Sequence, residues 1–434
     1  MHHYVIIGSG VAGVSAAETI HAHDPKSNIK IIGDEKHGFY SRPGLAYFLT
    51  GEIPERSLFP FSLDDFRAIN TPLLCAEVVR IDLAGHKVIL SDGKDFSYDR
   101  LLIATGASAV LPKVAGIDLE GVVKLDSLDD ARQIFSLARK AKSAVVVGGG
   151  ITALELVEGL VARGVHTHYF LRGDRYWSNV LDETESRIVE SHLARDGVEL
   201  HFKTELAEIA GENGRVCGVR TQSGHLIPCQ MVAAAIGIQP RKELAERSGL
   251  NTERGILVNE FLQTSDPDVY AAGDVAQVFN PFTGQYSLDS LWGSARDQGR
   301  AAGLNMSGAP TPFYKNFSFN VTRLAGLTAT ILGIVGSGRD ADVVGIARGD
   351  SESWRQSSGE TSVESQVEIS HLRILLGKDA IVGAVLMGDQ SLSGTLQALI
   401  MHHVDITPVR ARLLDPQAPL AEILTGLWEQ SKED

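Results

Sequence analysis

Residues Tyr4-Val5-Ile6-Ile7-Gly8-Ser9-Gly10-Val11-Ala12-Gly13 constrain the fold more than any other stretch of the chain. Aromatic and β-branched residues 4–7 predict a buried strand, Gly-x-Gly-x-x-Gly a tight turn, and the Ala-rich run from Val14 to Glu18 a helix. The first glycine permits the turn, the second lets a pyrophosphate approach the backbone, and the third, Gly13, lets helix and strand pack closely. Such a helix aims free N–H groups and its positive dipole end at the phosphates. The next apolar run, Ile29 to Gly33, ends at Asp34, with Glu35 as the alternative. An acid about 20 residues past the glycine turn is placed to bind a ribose 2′-hydroxyl.

The pattern recurs. Ser143 to Val147 is a second apolar run, followed by Gly148-Gly149-Gly150 and a helical stretch containing Ala153 and Glu155. Gly148 stands 140 residues after Gly8, an interval of about one domain, so the chain reads as two dinucleotide folds. Ala153 replaces the third glycine, which a methyl group still allows. Between the folds, Tyr98 to Ala107 reads as a buried strand closing on Thr105-Gly106, preceded by a hairpin, Val78 to Asp82 and His86 to Leu90. Helical spacing runs from Ala131 to Ala141. The strand through Val232 and Gly237 to Pro240 mirrors the Thr105-Gly106 strand end, so the chain leaves the first fold near Pro112 and returns near Pro240. A further strand ends at Gly273-Asp274, and Ser290 to Leu304 reads as a helix with Trp292 near its start. From about Thr311 the texture changes: Phe317 to Val321 alternates, Leu372 to Leu376 and Ile381 to Leu386 form a hairpin, and Thr395 to Met401 reads as a helix. Residues 349–364 are Ser-, Gly- and Glu-rich and read as an exposed loop. The predicted class is α/β, with two Rossmann-like dinucleotide-binding domains, one discontinuous, plus a C-terminal α+β domain.

A net charge of −14 disfavours nucleic acid or an anionic membrane as a main partner. Apolar runs such as Met231 to Ile238 fall short of the ~20 residues that span a bilayer. No charged-then-apolar segment precedes the first strand, and the three cysteines, Cys75, Cys217 and Cys229, form no Cys-x-x-Cys. The expected setting is the cytoplasm, with neither a metal centre nor an internal redox disulfide. His402 and His403 have no acidic or cysteine partner at metal spacing.

The two glycine turns, Ala104-Thr105-Gly106 and Ala272-Gly273-Asp274, occur in an order that resembles the FAD-dependent pyridine nucleotide–disulfide oxidoreductase superfamily over roughly residues 4–310. Phe39-Tyr40-Ser41-Arg42-Pro43-Gly44-Leu45, Leu49-Thr50-Gly51 and Leu291-Trp292-Gly293-Ser294-Ala295-Arg296-Asp297-Gln298-Gly299-Arg300 are similar to the branch of rubredoxin and ferredoxin reductases and the flavin module of assimilatory nitrite reductase. The resemblance implies an FAD domain over 1–112 and 241–310, an NAD(P) domain over 113–240, and a C-terminal interface domain over 311–434, which leaves a homodimer open. It implies that Gly8, Gly10, Ala12 and Gly13 cradle the FAD pyrophosphate and that Asp34 holds the adenosine ribose. Val78 lies on the adenine side, Asp274 on the ribityl chain, and Trp292 by the flavin pyrimidine edge. By the same resemblance, Thr105, Gly106 and Gly273 would line that site, Gly148, Gly150 and Ala153 would face the nicotinamide dinucleotide, Gly237 would lie near its nicotinamide half, and Glu155 would lie close to the nicotinamide ring.

Departures narrow the chemistry. Disulfide-reducing members carry cysteine in the helix facing the flavin; here Tyr40 to Leu49 has none, and Arg42 stands roughly where single-cysteine members have theirs. Glutathione-, lipoamide- and peroxidase-type reactions are therefore excluded. Ferredoxin reductases carry lysine where Tyr47 stands and arginine where Asp126 stands. The strand Thr167 to Leu171 ends in Arg172, with Arg175 close by, where an NAD-preferring fold usually shows an acid. The pair could accept a 2′-phosphate, so the reading leans to NADPH over NADH. The expected function is hydride transfer from NAD(P)H to FAD and onward passage of electrons to a separate redox protein, partner subunit or small molecule. A stand-alone NAD(P)H oxidase or quinone reductase, and a flavin-bearing assembly or sensor protein, are the competing expectations.

Overall fold

The computed structural model describes residues 1–61, 65, 66, 69, 71–281, 284–314, 317–336, 344–348 and 370–432, with backbone only at 344–348. The chain forms two compact units, one of residues 1–148, 155–168 and 206–315, the other of residues 149–154, 169–205 and 316–434.

In the first unit, His3–Ile7 is the middle of a five-stranded parallel sheet in the order Val269–Ala271, Arg100–Ile103, His3–Ile7, Asn28–Gly33, Leu73–Cys75. Its central strands are buried on both faces, as their near-continuous Ile/Leu/Val composition requires. Three strand ends are stitched in turn: Gly8 N–H donates to Ile32 O (2.8 Å), Ala104 N–H to Ile7 O (2.7 Å), and Ala272 N–H to Ile103 O (3.1 Å). The helix Val11–His23 leaves the first strand directly and packs on the helix Trp292–Met306. Small residues make that contact: a Cβ on Gly299 would lie 2.2 Å from Ala12 O, and one on Gly303 2.8 Å from Ala16 O. The expected hairpin gains a third strand (Val78–Asp82, Lys87–Leu90, Asp95–Ser97), and the expected helix at Ala131 starts earlier, at Leu128. Its start is set by a capping box, Ser127 with Asp130, one turn before the apolar spacing becomes visible.

The second glycine turn follows Ser143–Val147, which pairs in parallel with Met231–Ala234, itself beside Val122–Val123. The expected long strand to Pro240 is broken: Met231–Ala234 is buried, whereas Ile238–Pro240 is a separate strand running antiparallel to Ala107–Ala109. The segments just before Pro112 and up to Pro240 thus run side by side.

In the second unit, an antiparallel sheet in the order Phe319–Leu324, Leu327–Gly333, Ile381–Met387, His371–Leu376, Val344–Arg348 is packed with the helices Ser393–Met401 and Leu420–Gln430. The loop expected over 349–364 lies outside the described residues. Along His371–Leu376, residues 372, 374 and 376 join the apolar core, and Arg373 takes the other face. There its Nε and Nη2 each donate at 2.8 Å to the buried Glu185 carboxylate, near the start of the helix Glu183–Arg195. Further bonds run to Val335 O and Val180 O, both at 3.1 Å. Burial alone would raise the Glu185 carboxyl, yet the bonds from His371 and Arg373 hold it below the usual range. No described helix is long and apolar enough to cross a membrane.

Two stability changes follow. Gly299→Ala forces a methyl into the Ala12 backbone and should cost about 1–3 kcal/mol, read as a lowered Tm with loss of bound flavin; an unchanged Tm would count against direct helix contact. Arg373→Ala leaves Glu185 buried without its cation and should cost about 3–5 kcal/mol in a denaturant melt.

Candidate functional site

Gly8 has φ +116, and a Cβ there would sit 2.1 Å from Ala104 O, so both the turn and the neighbouring strand demand glycine. Gly13 is required for packing, because its Cβ would meet Gly8 O at 2.1 Å. Gly10 differs: a Cβ would meet nothing within 4 Å. The protein's own packing leaves that position open, at the N-cap of the Val11–His23 helix. That helix has no side-chain cap and no acid in its first turn, unlike the helices beginning at Leu128 and Glu183. The Trp292–Met306 helix also starts without a side-chain cap or first-turn acid.

The two bare N-termini converge. A Cβ on Gly273 would lie 3.1 Å from Ala12 Cβ and 3.6 Å from Ala295 Cβ, placing Gly273 between the first turns of both helices. Gly273 N–H is fixed by the buried Gln298, whose Oε1 accepts at 2.8 Å and whose Nε2 donates to Ser294. Asp274 follows, its carboxyl raised by burial and pulled back by the Arg42 charge. Helix ends without side-chain caps, a cleared backbone and no acid within either first turn fit a diphosphate and an electron-rich ring, with Asp289 Oδ1 just ahead of the second helix accepting from its N-cap Leu291 N–H (3.2 Å). The residues present therefore fit FAD.

Arg42 closes one side of this region. It donates to Glu35 and to Asp126 O, lies over the Tyr40 ring at 5.3 Å, and bears electrostatically on Asp274. Tyr40 Oη donates to Glu35 Oε2 (2.6 Å) and accepts from Leu128 N–H (3.1 Å), and its hydroxyl proton is held tightly by burial. Glu35 is thereby committed to an internal network, whereas Asp34, the residue singled out from sequence, faces solvent at its strand end. The Asp126 side chain accepts from Ala109 N–H and Lys124, each at 2.7 Å, and its charge also bears on Arg42. Thr105 and Gly106 bond to the strand end at Arg241: Thr105 Oγ1 donates to Arg241 O (2.8 Å), and Gly106 O accepts from Arg241 N–H (2.9 Å). Val78 belongs to the three-stranded sheet and packs, partly buried, on the core. Trp292 opens its helix 38% exposed.

At the second turn Gly148 has φ +148, and Cβ atoms on Gly150 or Gly237 would meet nothing within 4 Å; Ala153 is fully buried. Glu155 lies in the helix Ile151–Val161, and burial, with Glu158 adding, pushes its carboxyl up to about 7. Arg172 is exposed at the end of His166–Leu171. Arg175 Nε is buried with no hydrogen-bond partner among the described residues, while its other nitrogens reach Asp174 (3.5 Å) and Ser178 O (3.3 Å). Sequence reasoning gave Gln298 no role and missed the Glu35–Tyr40 pair; an uncharged glutamine nearly two turns inside a small-residue helix was the available signal for the former.

The family model for pyridine nucleotide-disulphide oxidoreductases matches residues 2–299. An NADH oxidase of Methanocaldococcus jannaschii is 32% identical over 333 residues, 74% of each chain. A rubredoxin-NAD(+) reductase of Ectopseudomonas oleovorans is 34% identical over 284 residues, 64% of this chain and 73% of the relative. Among solved structures, the covalent putidaredoxin reductase–putidaredoxin complex matches with TM-score 0.85 at 25% identity, covering 98% of this chain and 99% of that one.

The raised Glu155 carboxyl carries a pH signature. Between about 4.5 and about 7 the folded protein holds a proton that the unfolded chain has released, so stability falls as pH rises through that window. Glu155→Gln should flatten this part of the Tm–pH curve; parallel curves for the two proteins would count against a buried carboxyl.

Proposed function

The chain belongs to the pyridine nucleotide-disulphide oxidoreductase family, and from that premise we propose that it is an electron-transfer reductase, taking electrons from NADPH and handing them to a separate redox protein. It is an FAD-dependent NAD(P)H oxidoreductase, like the rubredoxin reductase it resembles. We assign residues 1–112 and 241–310 to FAD, 113–240 to the nicotinamide dinucleotide and 311–434 to an interface domain. The single observation that carries the reading is the convergence of two uncapped helix N-termini on Gly273-Asp274.

When bound, FAD and the nicotinamide supply the hydride transfer itself, C4 of one to N5 of the other. The chain's residues bind and orient. The N–H groups above Gly10 take the pyrophosphate, and Asp34 is placed for the adenosine ribose. Asp274 accepts from hydroxyls of the ribityl chain. The Trp292–Met306 helix presents its positive end to the flavin edge where negative charge accumulates. Arg42 fixes the loop 35–42 against Asp126 and holds a cation beside Asp274. Glu155 brings to the nicotinamide side a carboxyl that changes protonation near neutrality. Arg172 and Arg175 form a cationic rim at the strand end where an acid would select NADH, and Arg175 Nε, without a partner among the described residues, is a donor awaiting a phosphate oxygen. Cys75, on the Leu73–Cys75 strand, and Cys217 and Cys229, in and after Arg215–Thr221, lie in other elements than the Gly44–Thr50 helix, so a thiol relay has no residue there.

The NADH oxidase of Methanocaldococcus jannaschii supports a second reading, in which oxygen takes the electrons directly. Anaerobic reduction of the flavoprotein followed by mixing with oxygen or with a rubredoxin or ferredoxin separates the two: fast reoxidation by the redox protein and slow reoxidation by oxygen supports a reductase, and the reverse an oxidase. In steady state Arg172→Ala should raise KM for NADPH about tenfold, roughly the 1.4 kcal/mol of one charge-assisted bond, and spare NADH; equal effects on both cofactors would remove the NADPH assignment.

A further inference from the structure

The helix Gly44–Thr50 is anchored at both ends. Arg42, two residues before it, is tied to Glu35 and Asp126 O and bears on Asp274. At its other end the last-turn carbonyls face Arg163, just beyond the helix Ile151–Val161: Nε donates to Leu49 O (3.0 Å) and Nη2 to Phe48 O (3.3 Å). A cation over terminal carbonyls also suits the negative end of a helix dipole. The guanidinium lies on the Phe135 ring at 4.0 Å, and Phe135 stacks on Phe48 (5.7 Å between centroids, 14° between planes). Backbones approach closely at the same contact, since a Cβ on Gly159 would lie 2.9 Å from Leu49 Cβ. Glu155 is one turn before Gly159 on the same face. The seven-residue helix is thus a strut about 10 Å long, with the flavin cradle at one end and the nucleotide-binding helix at the other.

We propose that Arg163 is a positioning residue for hydride transfer: by clasping Phe48 and Leu49 carbonyls against Phe135, it sets the spacing between the nucleotide-binding helix and the flavin cradle. The role rests on the reductase reading above. It follows from the geometry that the clasp touches neither cofactor site's glycine turn, so its loss displaces one ring relative to the other without removing a binding group. Misplacement by about 1 Å from a near-attack arrangement is worth roughly 100-fold in rate. A lysine keeps the charge but cannot both bridge two carbonyls and lie flat on a ring.

The test uses the FAD-loaded protein and the variants Arg163→Ala, Arg163→Lys and Gly159→Ala, the last pushing Leu49 away while leaving Arg163 in place. Anaerobic stopped-flow with NADPH and NADH gives the limiting rate of flavin reduction and the nucleotide Kd separately. The long-wavelength charge-transfer absorbance of dithionite-reduced protein mixed with NADP+ or NAD+ reports ring stacking without any turnover. Arg163→Ala and Gly159→Ala should slow reduction roughly tenfold or more and weaken the absorbance, with Kd changed less than about threefold; Arg163→Lys should fall between. Variants that match wild type in rate and absorbance overturn the proposal, as do variants altered only in Kd, flavin content or Tm. Should Arg163→Ala fail to fold, Gly159→Ala decides. A wild type that shows neither reduction nor absorbance with either nucleotide refutes the reductase reading, and this role with it.

Discussion

Two helix N-termini without caps, brought to one glycine, are the constraint on which the first unit depends. Among the described residues neither has a side-chain cap, and they are kept together by the absence of side chains at Gly299 and Gly303 and by the methyl groups of Ala12 and Ala295 flanking Gly273. Any larger residue along this seam would separate the helices. The demand for small residues at Gly299 and Gly303 therefore comes from helix packing, while the open position at Gly10 lies at the N-cap of one of the same two helices.

That demand explains what was legible in the chain. A position where glycine is needed for close approach stands out against helix propensity, so Gly8, Gly13 and the repeat at Gly148 could be read directly. The parallel sheet was equally plain, since a strand buried on both faces has to be apolar throughout. The crossing was harder: the stretch through Val232 to Pro240 reads as one apolar strand, but it is two, and only the second pairs with Ala107–Ala109. Period and composition do not record where an apolar run changes partners.

The polar networks were least visible, for a physical reason. Glu35, Tyr40 and Arg42 lie within eight residues but complete their bonds with Asp126 and Leu128, more than 80 positions away. Arg373 and Glu185 are 188 residues apart, on a strand and a helix whose local patterns are satisfied without reference to each other. Charged residues at such positions look like solvated surface until the fold buries them. The one local hint was period two along His371–Leu376, which puts His371 and Arg373 on the face opposite Leu372, Ile374 and Leu376.

Arg42 shows how the loss of one chemistry constrains another. A cysteine in this region would be of use only if its sulfur could reach the flavin. An arginine cannot relay electrons, but it holds a permanent cation beside the raised carboxyl of Asp274 and ties its own loop to Asp126 and Glu35. The segment is thereby fixed at the moment electrons arrive, and it has no side chain able to accept them. Electrons held by a bound flavin would find no thiol in this segment to take them. That lack separates the segment from thiol-relay chemistry and leaves Arg42 with an electrostatic and anchoring task alone.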